Sequence, residues 1–222
     1  MKKILIGILC AVAVSAASIM GTLAYLTDKD SVANTFTVGN VDITLDEADV
    51  TPDGVEIAGA DRVKGNEYHL IPGREYVKDP TVTVLAGSEE SYVRALVTIN
   101  CLSELDVIFS RVNGANLIDI FEGHDNSLWT YVGETEDTTE NTITYEFRYH
   151  ETVGTYGETD PLELEPVFTG FTAPTFLDGE DLAELSTLKI VVEAHAIQAA
   201  TFENDVDKAW KAFDQQHKEA NP

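Results

Sequence analysis

Residues 91–101, SYVRALVTINC, carry the clearest structural pattern in the chain. Every second residue of this stretch is apolar, and these residues are Val93, Ala95, Val97, Ile99 and Cys101. Such alternation is typical of a β-strand that packs one face against a core, because successive side chains of a strand point to opposite faces. The pattern predicts a long strand with Cys101 on its buried face as an inert thiol.

Shorter strand-like runs lie on both sides, separated by turn signals such as Asn113-Gly114. Residues 127–132 and 142–149 predict a hairpin around an acidic connection, residues 133–141. Pro166 interrupts the run 162–172, which favours an edge position for it. Further runs occupy residues 41–45, 81–85 and 188–196. Because strands do not alternate with helices, the sequence predicts an all-β fold: an antiparallel, jelly-roll-like β-sandwich with a few short helices.

Three segments predict helix. Ser103 and Asp106 have the spacing of a capping box for a short helix that ends near Arg111, and residues 182–185 predict a helical turn. Residues 203–218 predict one C-terminal amphipathic helix, with Asn204 or Asp205 as N-cap. Its apolar residues follow helical spacing and are Val206, Ala209, Trp210 and Phe213. We expect this helix to cover one face of a sheet.

The N-terminus predicts export. Lys2 and Lys3 precede an uncharged apolar run, residues 4–20, and Ala24 ends a small-residue cleavage site. We therefore expect a signal peptide over residues 1–24, cut between Ala24 and Tyr25, and a single β-sandwich domain over residues 25–222. The alternative is an uncleaved membrane anchor, although a run of about 17 residues is at the short end for a bilayer span.

The formal net charge of −25 makes nucleic acid an improbable partner, because a field of that sign repels phosphates. An acidic surface can also collect divalent cations, so calcium stays an alternative with no ligands assigned. After the predicted cleavage Cys101 is the single cysteine, which excludes an intramolecular disulfide. The predicted contact with a membrane is transient, during export.

The sequence predicts no enzyme and no cofactor. The five histidines are too far apart in sequence for a ready-made metal site, and His150-Glu151 is followed by Gly154 where a zinc-protease helix has its second histidine. Motifs for a serine nucleophile or a phosphate-binding loop are missing as well. Histidines that only the fold brings together remain an alternative, so metal ligands are left unassigned.

The N-terminal motifs resemble those of the TasA/camelysin family of secreted proteins from Gram-positive bacteria. The resemblance lies in GTLAYLTD (residues 21–28), N-x-F-x-x-G-x-V-D-I-x-L (34–45), IPG (71–73), KDPTV (78–82), YVR (92–94), VFT (167–169) and AIQA (196–199). It implies a jelly-roll-like subunit of a cell-surface or biofilm-matrix fibre, located outside the cell. It also implies that the dedicated signal peptidase SipW removes the leader between Ala24 and Tyr25.

In this family the segment that the peptidase frees inserts as a donor strand into the next subunit. Carried over, residues 25–38 form the donor strand, with Tyr25, Leu26, Phe36 and Val38 as contact residues. The implied partners are further copies of the chain or related fibre subunits. Three alternatives stay open: an edge strand within the chain's own sheet, a camelysin-like surface metalloprotease, and a non-polymerising adhesin or accessory protein.

Overall fold

A computed structural model describes residues 40–203 and 205–220, which belong to one compact unit, Gly39–Pro222. Most of its regular structure consists of strands in three antiparallel sheets, with a few short helices. The all-β prediction is confirmed. The strands are β1 (Ile43–Asp46), β2 (Glu75–Val77), β3 (Thr81–Val84), β4 (Ser91–Asn100), β5 (Phe121–Glu122), β6 (Trp129–Asp137), β7 (Thr142–Tyr149), β8 (Leu162–Glu163), β9 (Gly170–Thr172) and β10 (Ile190–Gln198).

The largest sheet has the strand order β10-β4-β7-β6, and β4 pairs with β10 over residues 91–99 and with β7 over residues 94–100. The predicted alternation of β4 is confirmed, because Val93, Ala95, Val97 and Ile99 are each at most 1% exposed. Cys101 is also buried and free. The aromatic residues of β7 extend the same buried face toward β6.

A second sheet, β1-β3-β8, contributes Val82 and Val84 of β3 to the same core cluster as β4. The two sheets therefore share one apolar core. A third, small sheet, β2-β9-β5, is held by Tyr76 stacked on Phe171, with ring centroids 4.8 Å apart, and Ile190 of β10 packs against this pair. A short bridge between Ser91 and Val153 links β4 to the loop after β7.

Three α-helices accompany the sheets in the described residues: α1 (Leu102–Ser110), α2 (Gly179–Glu184) and α3 (Val206–Ala220). Helix α3 covers the outer face of the largest sheet, where Trp210 is 2% exposed. Asp205 accepts a hydrogen bond from the backbone N–H of Lys208, in keeping with the predicted cap. None of the described helices has the length and apolar character needed to cross a membrane.

Three local predictions are wrong. The N-cap of α1 is Cys101 rather than Ser103, and the N–H of Ser103 donates instead to Asn141 Oδ1 in the β6–β7 turn (2.8 Å). Strand β6 continues to Asp137, so most of the predicted acidic connection is strand. The run 162–172 is broken as predicted, and its first part, β8, lies at a sheet edge as predicted; its second part, β9, is instead the central strand of the small sheet.

Candidate functional site

The candidate site is a groove of about 990 Å³ between β1 and β10, which we call the edge groove. Its walls come from the end of β1, from the loop before β2 and from the connection between α2 and β10. The lining consists of residues 45–47, 64–70 and 188–192, with Lys78, Pro80, Phe171, Leu182, Leu185 and Ser186. The groove therefore follows the first third of the β10 edge.

The outer edge of β10 has no strand paired with it among the residues that the structure describes. Lys189 O accepts a hydrogen bond from Asn100 N, and Ala199 N donates to Glu90 O. In an antiparallel pair, residues alternately bond to the partner strand and direct their backbone groups away from it. The two bonds therefore assign the odd-numbered residues of β10 to hydrogen bonds with β4. Even-numbered residues of β10, from Ile190 to Gln198, consequently direct N–H and C=O away from β4. Among the described residues no backbone group pairs with them.

The facing edge of β1 is partly blocked. By the same alternation, Ile43 and Leu45 direct their backbone groups away from β3. The carbonyl of Leu45 accepts a 2.6 Å hydrogen bond from Lys64 Nζ. Glu47 exchanges two backbone hydrogen bonds with Val63, at 2.9 and 2.8 Å. The β10 edge is therefore the more available of the two for a further strand.

The core is open along this edge. The core-facing residues of β10 are only partly buried, in contrast to those of β4 one strand further in. These side chains are Ile190, Val192, Ala194 and Ala196. Ile43 and Leu45 of β1 are partly buried in the same way. Covering such a row of apolar side chains is favourable, by about 25 cal/mol for each Å² removed from water.

The other described sheet edges are protected. Strand β6 carries Glu134, Glu136 and Asp137 and has a bulge between Tyr131 and Gly133. The edge strands β8, β2 and β5 are two or three residues long. Charges, bulges and short lengths are the usual means by which proteins prevent edge pairing. With nine residues and Glu193 as its one carboxylate, β10 lacks these protections.

A buried ion pair supports the wall of the groove. Lys78 Nζ lies 2.5 Å from Glu47 Oε2, and both side chains are 7% exposed. Asn66 Nδ2 donates to Glu47 Oε1 at 2.9 Å, so both carboxylate oxygens have partners. Tyr68 donates its hydroxyl to Val77 O (3.0 Å), and burial, followed by the nearby charge of Glu47, raises the pKa of Tyr68 above its ordinary value. The polar groups in this wall thus hold the loop in place.

The structure leaves the sequence-predicted donor residues untested. Ala24, Tyr25, Leu26, Phe36 and Val38 all lie outside the described residues. In the described part of the chain, no group of three or more histidine, cysteine or acidic residues could hold a metal ion. His150 lies 3.6 Å from Glu151 at the surface. The predicted strand 188–196 did locate β10, but its place at a sheet edge follows from long-range pairing that its sequence does not reveal.

Comparison with known proteins gives no match: neither a family model nor a curated protein nor a solved structure matches the chain. The resemblance to the TasA/camelysin family therefore stays a prediction from the motifs quoted above.

Proposed function

We propose that this protein is a secreted subunit of an extracellular surface or biofilm-matrix fibre, with a jelly-roll-like sandwich that accepts a donor strand from the next subunit. The observation that carries the proposal is that, within residues 40–203 and 205–220, no backbone group pairs with the outer edge of β10, beside partly exposed core residues. The donor is residues 25–38 of another copy, freed when the signal peptidase cuts between Ala24 and Tyr25. The chain acts as a structural protein and not as an enzyme.

Adding a strand would both pair the backbone groups of this edge and cover its partly exposed apolar side chains. The backbone of the donor would pair with Ile190, Val192, Ala194 and Ala196, and its alternate side chains would cover the open core. Because the donor end and the acceptor edge are different surfaces, each subunit added presents a new edge, and the contact extends into a filament rather than closing.

Insertion requires a small movement of β1. Cα atoms of β1 and β10 come within 8 Å of each other. A strand paired on both sides needs its neighbours about 9.6 Å apart, two strand spacings. We therefore expect the donor to pair first with β10 and to displace β1 where the two strands are close.

The test uses the mature chain, which begins at Tyr25, in negative-stain electron microscopy and analytical ultracentrifugation. We expect filaments from this chain and monomers after deletion of residues 25–38. The variant Ala194→Pro removes an N–H that points to the open edge, a position where a sheet tolerates proline. It should fold and yet add subunits at least about tenfold more slowly, since it lacks one backbone hydrogen bond and clashes with the donor.

Glu136→Pro is the matched control. Glu136 lies opposite Ile143, and the same alternation directs its N–H outward from the edge of β6. This variant should assemble at the wild-type rate. Normal filaments from the deleted chain, or a mature protein that stays monomeric at neutral and acid pH with and without calcium, would refute the fibre proposal.

A further inference from the structure

A second, smaller cavity adjoins the edge groove, and we call it the side cavity. It has a volume of about 30 Å³ and is lined by residues of β4, α1 and β9 and by the start of β10. Five residues line both spaces, and they are Leu70, Phe171, Leu185, Leu188 and Ile190. The side cavity therefore lies next to the groove at the N-terminal end of β10.

The groove is the way into the side cavity. Ile99, Leu105 and Leu177 belong to the buried core and line the cavity but not the groove. Leu188 and Ile190, which line both spaces, are only partly buried. A side chain from outside the subunit can therefore reach the cavity from the groove.

The lining of the side cavity is apolar. Among the described residues that line it, Thr172 is the one with a polar side chain, and its hydroxyl donates to Glu122 Oε1. A space of this size has room for about two water molecules, but each would need about two to four polar partners. The lining atoms also lack contacts on the open side. An apolar group that enters the cavity is therefore favoured over water.

Ile190 connects the cavity to the backbone edge of β10. Its N–H and C=O point away from β4, and its side chain lines the cavity. In a strand added to this edge, the residue opposite Ile190 has its side chain on the same, core-facing side of the sheet. One side chain of an added strand therefore lies within reach of the cavity.

The proposed donor, residues 25–38, carries one side chain that suits this space. Phe36 is the largest side chain of the segment that has no polar atom. Tyr25 has a ring as well, but its buried hydroxyl would need a hydrogen-bond partner. The cavity is lined by Phe109 and Phe171, and aromatic rings pack favourably edge to face. Phe36 therefore combines the size and the chemistry that the cavity accepts.

We propose that the side cavity anchors the donor strand by receiving the ring of Phe36 from a second copy, with Phe36 opposite Ile190. The edge of the ring enters the cavity, and the rest of the ring lies in the groove against Leu188. The inference rests on the proposed fibre function and adds to it the residue that fixes the register of the donor on β10.

A double-mutant cycle tests the anchor. Phe36→Ala removes the ring, and Leu188→Phe narrows the entrance at a partly buried position where a larger side chain can be accommodated. Each change alone should slow elongation at least about tenfold, because the central apolar contact of the interface is lost. The double variant should be slower than either single variant by less than about twofold, since both changes remove the same contact.

Leu128→Phe is the matched control for the entrance. Leu128 is also partly buried and packs against the same core, but it lies outside the groove and the side cavity. This variant should elongate at the wild-type rate, and adding it to Phe36→Ala should leave the rate of Phe36→Ala unchanged. Circular dichroism and the midpoint of urea unfolding establish that all variants are folded.

Disulfide trapping tests the register with Phe36 in place. Thr37 would lie beside Lys189 in an antiparallel donor and beside Val191 in a parallel one, on the face opposite the core. In a Cys101→Ala background, Thr37→Cys should therefore form disulfides between copies in filaments with Lys189→Cys or with Val191→Cys. Thr37→Cys with Ile197→Cys, at the other end of β10, should form none.

The possible failures have different meanings. Leu188→Phe that elongates like the wild type, single effects that multiply in the double variant, or trapping at Ile197→Cys would overturn the anchor while the fibre function stands. Disulfides confined to single chains would show that Phe36 occupies its own subunit, which also overturns the inference. A wild-type chain that never polymerises would refute the fibre function itself.

Discussion

The guanidinium carbon of Arg94 lies 4.5 Å from the ring centroid of Trp210, so a buried cation of β4 is covered by the indole of α3. The same guanidinium lies 5.1 Å from the Phe213 ring and donates to Asp214 Oδ1 at 2.5 Å. Its Nε donates to His195 Nδ1 on β10 (3.2 Å). Arg94 thus attaches the C-terminal helix to the outer face of the strand next to the candidate edge.

Replacing Arg94 should loosen α3. We expect Arg94→Met to lower the free energy of unfolding by about 2 kcal/mol, because it removes a cation–π contact and an ion pair from a buried position. Limited proteolysis should then cut the C-terminal helix faster. Arg74→Met, which removes the exposed pair with Asp53, is the control and should change the free energy by less than about 0.5 kcal/mol. Equal losses for both variants would contradict this role of Arg94.

The ion pair of Glu47 and Lys78 gives a second prediction. Lys78→Met should lower the free energy of unfolding by about 3 kcal/mol, because it leaves a buried carboxylate without its cation. The double variant Lys78→Met, Glu47→Gln should regain most of this loss, since the amide oxygen can still accept from Asn66. Urea unfolding monitored by tryptophan fluorescence measures both values. A double variant as unstable as the single one would show that the pair itself, and not the unpaired charge, matters.

The raised pKa of Tyr68 predicts that the free energy of unfolding depends on pH in alkaline solution. Burial raises its pKa in the folded state, so its neutral form stabilises the fold fully below its unfolded pKa of about 10. Above that pH the unfolded chain releases the proton first, and the free energy of unfolding falls. Tyr68→Phe should make this fall shallower between pH 10 and 11, although Tyr145 and Tyr149, whose pKa values are also raised, retain part of it. Identical slopes would contradict the prediction.

The sequence predicts which residues form a strand better than it predicts which strands lie beside each other. The burial of Val93 and Val97 follows from alternation alone, because β4 is central and both its neighbours are in place. The same alternation in Ile190 and Val192 predicted a strand equally well but not its open edge. Whether a strand has one neighbour or two depends on residues far away in sequence, such as Ile99, which lies opposite Ile190 and 91 positions before it.

Polar residues misled the local predictions for a similar reason. The acidic residues Glu134 and Glu136 suggested a loop. Residues 133–137 nevertheless form a strand, because they pair with β7. Ser103 has the spacing of a cap, yet Asn141 approaches the helix start from the hairpin and binds its N–H. The lysines of the edge groove were likewise unremarkable in sequence, since Lys64 and Lys189 are 125 positions apart.

Assembly should be faster at higher ionic strength. The full chain has a formal net charge of −25, and loss of Lys2 and Lys3 with the predicted leader makes that of the subunit −27, so approaching copies repel one another. Salt weakens this repulsion, because the screening length falls from about 30 Å at 0.01 M to about 8 Å at 0.15 M. We therefore expect the elongation rate at pH 7, followed by light scattering, to rise at least about threefold between these two salt concentrations. A rate that is the same at both would mean that charge does not control assembly.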